Sequence, residues 1–501
     1  MSYPRQAQSN LSMALAEDRL GVPSVLFFVM SAATPLTVVA GVVTTGFAAT
    51  GLIGIPLAFL VIGVLLGLFS VGYVAMARHV VNAGAFYAYI SQGLSRPLGV
   101  GCSWVAVVAY SSLQVGLYGL IGSAAAPLLS DWFGVDVKWW VIALVAWAIV
   151  GALGVQQVDL NGKVLAVLLV TEVAVIVLFS LADLGNPAGG TVTFDTLAPG
   201  NLFGDGLGAL LAIGVLGFIG FECSVVFSEE ARDPKRTVCT ATYLSVALIA
   251  GLYAFASWAM SVATGPENVV GRSQAEGPET VFNLAGAHLG AWAVDLGHAL
   301  LVTSVLAAMI SFHNTTARYM FALGRERVLP SALGRTSNRT GSPVVGSIIQ
   351  SVVGLVVIVA YASGGWDPVL QLFFWGGAIG GMGILALITL TSVAVLVFFG
   401  RNPYDEPAWR RAVAPAMASI ALVAVLVLVI DNFATLLAVA EDSPLRWGVP
   451  IFYAVTILAG VVWGLVLRAR RPEIYATIGL GARSVTVTAA SGAHEATMGG
   501  R

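Results

Sequence analysis

Long apolar runs recur along this chain of 501 residues, and they constrain its fold more than any other feature. Most are longer than about 18 residues, the length at which an apolar segment becomes a candidate membrane-spanning helix. The apolar residues are continuous and do not alternate with a period of two, which argues against a membrane β-barrel. Since only helices and closed barrels satisfy their backbone hydrogen bonds in lipid, the sequence predicts an all-α polytopic membrane protein.

We place twelve transmembrane helices in one domain over residues 23–468. An N-terminal segment (1–22) precedes the domain, and a tail (469–501), expected to be a solvated end without packed structure, follows it. The predicted spans are 23–48, 51–77, 97–128, 138–155, 163–182, 206–230, 237–263, 291–321, 343–362, 368–399, 413–430 and 446–468.

The basic residues are distributed very unevenly between the two sets of loops. Of the 24 Lys and Arg residues, one set contains only Lys138, Arg272 and Arg446. Cytoplasmic loops carry the excess of Lys and Arg, so this set is predicted to be extracellular. We therefore expect a multi-pass protein of the cytoplasmic membrane with both termini in the cytoplasm, and we call the Lys- and Arg-poor side the outer side.

Enzymatic chemistry has little support in the sequence. No nucleophile–base set, metal-ligand cluster or nucleotide-binding loop is apparent, and the three cysteines fall in or next to apolar runs, as buried thiols do. The sequence therefore predicts neither an enzyme nor a bound cofactor or metal. The expected partners are the lipid bilayer and a small-molecule substrate, with no nucleic acid.

Two predicted spans, the first and the sixth, are interrupted near their middles. Span 1 contains Pro35, Gly41 and Gly46, and span 6 contains Gly217 and Gly220. The two spans are five apart, so they cross the membrane in opposite directions. Paired interruptions of this kind indicate an inverted-repeat transporter with a substrate site near the midplane. The alternative is that these glycines only allow close helix packing.

Several motifs resemble the amino acid–polyamine–organocation (APC) superfamily. The segment GFIGFECSVVFSEEARDPKRT (217–237) resembles its sixth-helix signature, and VVTTG (42–46) lies where the superfamily has its first-helix break. NAGAFYAYISQGLSRPLGV (82–100) resembles the segment between spans 2 and 3. RYMFALGR followed by Leu-Pro (318–330) resembles the exit of the eighth helix.

This resemblance implies a five-plus-five inverted repeat of the leucine-transporter type with broken helices 1 and 6. Repeat one would cover about 23–182 and repeat two about 206–399, and two extra helices would cover about 413–468. The activity it implies is that of an amino acid permease.

A broken helix offers both partners that an amino acid zwitterion needs in the membrane. Free N–H groups at the start of its second half bind an anion, and free carbonyls at the end of its first half accept from a cation. We assign the substrate carboxylate to Thr44, Thr45 and Gly46. The ammonium is assigned to the backbone around the span 6 break, at Gly217, Phe218, Ile219 and Gly220. The resemblance implies that the substrate side chain points between spans 3, 6, 8 and 10, which makes Tyr110 in span 3 a further candidate for substrate contact.

Two acids lie inside predicted spans, where an ionised carboxylate is costly. Glu222 follows the span 6 break, and its predicted roles are substrate or proton binding, or bridging the break by hydrogen bonds. Glu172 lies in the middle of span 5, where it is a candidate for proton coupling if it faces spans 1 and 8. Its alternative role is helix packing. Protons are the favoured coupling ion, and sodium, held by oxygens of span 1 and of Ser304, Ser311 or Asn314 in span 8, is the alternative.

The inner end of span 6 carries Glu229 and Glu230. Acids at a helix C-terminus oppose the helix dipole, so we expect cationic partners, with Arg78 and Arg318 as candidates. The predicted role of the two acids is an inner gate, against the alternative of a solvated helix end.

Taken together, the sequence predicts a secondary active transporter that moves amino acids or related small amines by alternating access and proton symport. Three alternatives remain open: a polyamine importer of the putrescine type, an exchanger of an amino acid against its amine, and a sensor that binds substrate without transporting it.

Overall fold

The computed structural model of the protein describes residues 11, 12, 14–204, 206–440, 442–482 and 484. The architecture is helical throughout, apart from one pair of two-residue strands. Eleven helices in the described part of the chain are long and apolar enough to cross a membrane, and Trp139–Gly154 is a shorter apolar helix. In chain order these twelve helices are α1 Val22–Thr50, α2 Ile55–Ala77, α3 Arg96–Phe133, α4 Trp139–Gly154, α5 Val158–Gly185, α6 Leu207–Glu230, α7 Pro234–Thr264, α8 Ala291–Arg325, α9 Val344–Gly364, α10 Pro368–Arg401, α11 Trp409–Asp431 and α12 Leu445–Arg470.

Each predicted span coincides with one of these helices, which confirms the helical membrane class. The number of membrane crossings stays a prediction because α4 has only 16 residues. At 1.5 Å per residue it is about 24 Å long, less than the roughly 30 Å of a bilayer core. The division into two inverted repeats also stays a prediction.

Shorter elements connect the long helices. Strand β1 (Leu11–Ser12) pairs antiparallel with β2 (Thr336–Ser337), so the N-terminal segment lies against the loop between α8 and α9. The short α-helices are Phe86–Gly93, Val269–Glu276, Glu279–Leu289, Phe433–Leu437 and Pro472–Thr477. Three 3-10 turns cover Asp195–Leu197, Pro199–Leu202 and Ser331–Gly334.

Helix α3 is the centre of the packing. It is capped at its N-terminus by the Ser95 hydroxyl, which accepts from the Leu98 N–H at 3.4 Å, and it ends at Gly134 with φ 66°. Its sides pack against α8, α10 and α12, while α2 and α7 pack closely together beside α1. This arrangement leaves the middles of α1 and α6 facing each other inside the protein.

Helix α1 is interrupted at Ala33 and Thr34. Its first half ends at Ala32, Thr34 adopts a left-handed conformation with φ 45° and ψ 65°, and the second half starts at Pro35. The prediction that the outer half begins at Thr44–Gly46 is therefore wrong. There the chain is continuously helical, with a π-helical stretch at Val38–Val43 that accommodates Gly41 without a break.

Helix α6 is interrupted where the sequence predicted. Its first half ends at Leu216, residues 217–220 form a turn, and Gly220 has φ 119°. The chain continues as a 3-10 helix over Phe221–Glu230. The break thus consists of the predicted glycine segment, with Gly220 supplying a backbone conformation that L-residues rarely adopt.

The tail contradicts the expectation of an unpacked end, in the part that the structure describes. Residues Pro472–Thr477 are helical, and Ile474 and Ile478 are buried together with Leu467 of α12 and Val328. The apolar side chains of this segment therefore gain burial by folding back onto the inner ends of the helices. The remainder of the predicted tail, beyond residue 484, lies outside the described residues.

Candidate transport site

The breaks of α1 and α6 touch each other. A Cβ atom added to Gly220 would lie 2.7 Å from the Cβ of Ala32 and 2.9 Å from the N of Ala33. Only a glycine permits this approach, because real Cβ atoms do not come so close to other atoms. The two interruptions that the sequence shows five spans apart thus form one site in the middle of the molecule.

A cavity of about 330 Å³ extends from these breaks toward the outer ends of the helices. It begins at Ala33 and Thr34 in α1 and at Leu216 and Ile219 in α6. Its further lining comes from α1, α3, α8, α10 and the segment after α11: Thr37, Val38, Gly41, Val42, Thr45, Ala49, Leu113, Leu117, Phe312, Leu370, Phe373, Phe374, Gly377, Ala378, Thr435, Leu436 and Ala438, with Ala32 and Ile213 completing the wall. The volume is at the lower end of the range of small-molecule sites.

Of the predicted carboxylate-binding residues, only Thr45 lines this cavity. The Thr44 hydroxyl instead donates to the carbonyls of Ala40 and Gly41 within its own helix. Gly46 packs against α2, since an added Cβ would lie 3.1 Å from Cδ1 of Ile55.

Among the predicted residues of the α6 break, Ile219 lines the cavity. The Leu216 carbonyl accepts from the Ile219 N–H at 3.3 Å, and the Phe218 carbonyl accepts from the Phe221 N–H at 3.2 Å. For the carbonyls of Gly217 and Ile219 no backbone donor occurs among the described residues. The Phe218 ring packs away from the cavity, next to Phe59 and Tyr253.

Glu222 bridges the α6 break and does not line the cavity. Its Oε2 accepts from the Gly220 N–H at 2.9 Å, and its Oε1 accepts from the Tyr110 hydroxyl of α3 at 2.8 Å. The Glu222 carbonyl accepts from the Tyr73 hydroxyl of α2 at 2.9 Å. Of the roles considered for this acid, bridging the break is the one that its contacts match. Tyr110 acts with it, so this tyrosine also lies behind the cavity wall.

Glu172 joins α5 to the α1 break and to α8. Its Oε1 accepts from the Leu36 N–H at 2.5 Å and from the Ser304 hydroxyl at 2.7 Å. Leu36 is the second residue of the outer half of α1, so the carboxyl group lies at the N-terminus of that half-helix, where the dipole favours a negative charge. Glu172 therefore faces both helices named in the coupling hypothesis.

The inner ends of α6 and α8 are joined by two ion pairs. Arg318 binds Glu230 with two N–H groups, and its Nη2 lies 2.9 Å from Oε1; both side chains are 1% exposed. Arg325 binds Glu229 through two contacts of 2.6 Å. The prediction of Arg318 as a partner is correct, whereas Arg78 pairs with Glu406 at 3.4 Å.

The N-terminal segment reinforces this closure. The N–H groups of Arg19 and Leu20 both donate to the Glu230 carbonyl at 2.9 Å, and the Arg232 N–H donates to the Leu20 carbonyl. The inner side of the site is thus closed by charge pairs and backbone hydrogen bonds, while the cavity lies on the outer side.

A buried acid that the sequence analysis missed lies next to these pairs. Glu326 accepts from the Tyr87 hydroxyl at 2.6 Å and the Asn82 amide at 3.0 Å, and from the N–H groups of Gly479 and Gly481 at 2.6 and 2.7 Å. Burial raises the pKa of the Glu326 carboxyl above its usual value, although the hydrogen bonds from Tyr87, Gly479 and Gly481 and the positive charge of Arg325 oppose the shift. Its position directly after the apolar span, with Arg325 before it, resembled an ordinary solvated helix end.

These observations define a class of protein: a polytopic helical membrane protein with two mutually contacting broken helices and a cavity at the breaks, which is the architecture of a carrier. The chain belongs to the amino acid permease family, whose family model matches residues 20–466. This confirms the APC resemblance. The family is one of transporters and not of enzymes, as the sequence predicted.

Individual relatives are distant from this chain and differ in substrate. The low-affinity putrescine importer PlaP of Escherichia coli (strain K12) is 26% identical over 317 residues, which cover 60% of this chain and 66% of the importer. The lysine-specific permease LysP of Lactococcus lactis subsp. cremoris (strain MG1363) is 23% identical, with 71% and 70% covered. The branched-chain amino acid permease BcaP of Bacillus subtilis (strain 168) is 24% identical, with 51% and 49% covered.

Proposed function

We propose that this protein is a secondary active transporter that imports amino acids or related small amines by alternating access, coupled to protons through Glu172. The observation that carries the coupling proposal is the hydrogen bond between Glu172 and the Leu36 N–H. It links a membrane-embedded acid directly to the start of the outer half of α1, which is the part of the site suited to an anion.

The coupling follows from electrostatics at this half-helix. An ionised Glu172 and a substrate carboxylate near the same helix N-terminus repel each other. For two charges about 5 Å apart at an effective dielectric of 20, the repulsion is about 3 kcal/mol. Protonation of Glu172 removes that repulsion, so the proton and the substrate each favour binding of the other. Cooperative binding of this kind is what symport requires.

One of the three α8 oxygens considered for sodium lies against a positive charge, which favours protons. The Ser304 hydroxyl donates to Glu172, and the Ser311 hydroxyl donates to the Phe28 carbonyl at 2.7 Å. The Asn314 Oδ1 accepts from Arg318 at 2.9 Å. The positive charge of Arg318 disfavours a sodium ion at the Asn314 oxygen, whereas the two serine hydroxyls keep their oxygen lone pairs while they donate.

The test is uptake by the purified protein in proteoliposomes, with a panel of labelled amino acids and putrescine. A pH difference of one unit, acidic outside, should sustain about tenfold accumulation when one proton moves per substrate. Glu172→Gln should abolish this accumulation but keep exchange of labelled for unlabelled substrate, because glutamine mimics the protonated acid.

Asp183→Asn is the matched control, since Asp183 lies on the same helix and contacts His288 at 3.0 Å instead of α1 or α8. It should retain pH-driven accumulation. Uptake that follows sodium and ignores pH would refute proton coupling, and wild-type pH dependence in Glu172→Gln would refute the role of Glu172.

The putrescine relative makes polyamine import the second candidate function. Accumulation of putrescine, and of no amino acid, would establish it.

A further inference from the structure

The cavity at the α1 and α6 breaks has an almost completely apolar wall. Among the lining residues that the structure describes none is charged, and the polar side chains are threonines: Thr34, Thr37, Thr45 and Thr435. Threonine hydroxyls satisfy hydrogen bonds but do not neutralise a charge. The wall therefore contains no partner for a charged group on the substrate beyond what the backbone at the breaks supplies.

The two acids nearest to the breaks do not change this conclusion. Glu222 and Glu172 both lie outside the cavity lining, and each is 1% exposed. Glu222 already accepts three hydrogen bonds from protein donors, and Glu172 accepts two. A cationic side chain in the cavity would therefore have no anionic partner among the residues that the structure describes.

Away from the breaks, the cavity is walled by large apolar side chains. Leu113 and Leu117 of α3 lie four residues apart, on one face of that helix. Phe312 of α8 and Phe373 and Phe374 of α10 face the same space. An aliphatic or aromatic substrate side chain would lose its water contact there, at a gain of about fourfold in affinity for each methylene group buried.

We infer that this site selects neutral amino acids with apolar side chains, and that it rejects lysine and polyamines. The inference rests on the proposed function in taking this cavity as the substrate site. The amino and carboxyl groups lie at the breaks, beside Ala33, Thr34 and Ile219, and the side chain extends between α3, α8 and α10. Burying an unpaired ammonium in this wall is expected to weaken binding roughly 100-fold.

Norleucine and lysine form the sharpest test because they differ only by the terminal ammonium group. Equilibrium binding to the purified full-length protein should show affinity rising about fourfold per methylene from alanine through norvaline to norleucine, as long as the cavity has room. Lysine should compete at least about 100-fold more weakly than norleucine. Putrescine should compete no better than lysine.

Leu117→Ala and Leu120→Ala provide a matched pair on α3. Leu117 lines the cavity and Leu120 does not, so only Leu117→Ala should lower the affinity for norleucine, by about tenfold, while the affinity for alanine changes little. Thermal unfolding of both variants controls for folding. Equal loss in the two variants would overturn the assignment of this wall to the substrate side chain.

Separate measurements of binding and of transport distinguish this inference from the proposed function. Norleucine binding without any transport would support the inference and refute the transporter proposal. Transport of lysine or putrescine in preference to leucine would support the transporter and overturn the inference. If neither an amino acid nor putrescine binds, both are overturned.

Discussion

Two buried acids in this protein differ in what they connect. Glu222 binds the backbone of its own helix two residues away and one tyrosine of α3. Glu172 binds two other helices, at the N-terminus of the outer half of α1 and at Ser304 of α8. Local contacts of the first kind hold a backbone conformation, whereas contacts of the second kind change when helices move. We therefore propose that Glu222 stabilises the backbone conformation of the α6 break and that Glu172 is the acid that couples transport to protons.

Replacing Glu222 tests this distinction. Glu222→Gln replaces one acceptor oxygen by an NH2 group. If the glutamine oxygen keeps the Gly220 N–H, the Tyr110 hydroxyl must accept from this NH2 group, and its own proton loses its acceptor in the buried site. The free energy of unfolding in detergent should fall by about 1–3 kcal/mol. Proton-driven accumulation should persist at a reduced rate, in contrast to Glu172→Gln. Tyr110→Phe is the control that removes only one of the two hydrogen bonds.

A different outcome would identify Glu222 as the residue that binds the coupled proton. If Glu222→Gln abolishes the response to a pH gradient while exchange continues, Glu222 is the coupling acid and the bridging contact is secondary.

The sequence identifies both acids as unusual because each interrupts an apolar run. Gly220 is a local partner of Glu222, two residues away. The other partners, Tyr110 for Glu222 and Leu36 and Ser304 for Glu172, lie 112, 136 and 132 residues away, and no local pattern encodes them.

At the scale of the helices, the two breaks differ in how they show in the sequence. The α6 break is made by glycines, with Gly220 at φ 119°, and it was predicted correctly. The α1 break is made by Thr34 and Pro35, a non-glycine residue with positive φ before a proline. In the sequence, Gly41 and Gly46 indicated a helix break more strongly than Thr34 and Pro35 did, yet both glycines lie within continuous helix. Tertiary contacts around Ala33, including the Tyr253 hydroxyl on its carbonyl, hold a conformation that local preference does not favour.

Gly220→Ala should disrupt the junction of the two breaks. The added methyl group would clash with Ala32 at 2.7 Å and would also have to adopt φ 119°. We expect a loss of at least about 2 kcal/mol in the free energy of unfolding, with loss of substrate binding.

Gly251→Ala is the control, because Gly251 lies in α7 with no atom within 4 Å of an added Cβ. Alanine has the higher helix propensity, so this variant should be neutral or more stable by up to about 1 kcal/mol. Thermal unfolding and ligand binding of both variants give the answer. Normal binding by Gly220→Ala would show that the close contact of the breaks is not required for the site.

At the scale of the whole molecule, the sequence predicts the helices well, but it predicts poorly how they enclose the cavity and how the tail packs on them. Each apolar run became a helix because spanning segments need only length and apolarity. The cavity wall combines side chains from five helices and the segment after α11, which no single run reveals. The tail was mistaken for a solvated end because its polar composition hides Ile474 and Ile478, which pack, and the glycine N–H groups that bind Glu326.

The contacts on the outer side differ from those on the inner side, and this difference identifies the conformational state that the structure represents. The cavity extends to Ala49 and Ala438 on the outer side, and the Glu230–Arg318 and Glu229–Arg325 pairs close the inner side. In an alternating-access cycle these pairs must separate to release substrate inward and form again before the next substrate binds outside. Their strength therefore affects the transition between states more than the binding step.

Glu230→Gln should accordingly change turnover more than affinity. The variant removes the negative charge opposite the buried Arg318, which weakens the inner-closed state; a cost of about 1.4 kcal/mol shifts the equilibrium tenfold toward inner-open forms. We expect kcat for uptake to fall roughly tenfold while KM changes less than about threefold, because resetting to the outer-facing state becomes slow. Initial uptake rates in proteoliposomes over a range of substrate concentrations measure both constants.

Glu406→Gln distinguishes a gate from a general effect of inner-side charge. Glu406 also binds arginine on the inner side, pairing with Arg78 at 3.4 Å and Arg410 at 3.5 Å, but it joins neither α6 nor α8. Its removal should leave kcat and KM within about twofold of the wild type, because Arg78 and Arg410 are 30% and 42% exposed and remain solvated without it. Equal loss of turnover in both variants would point to a shared effect on folding or insertion. Wild-type kinetics in Glu230→Gln would exclude the pair as a gate, and the closure would then depend on Glu229–Arg325 and the N-terminal segment.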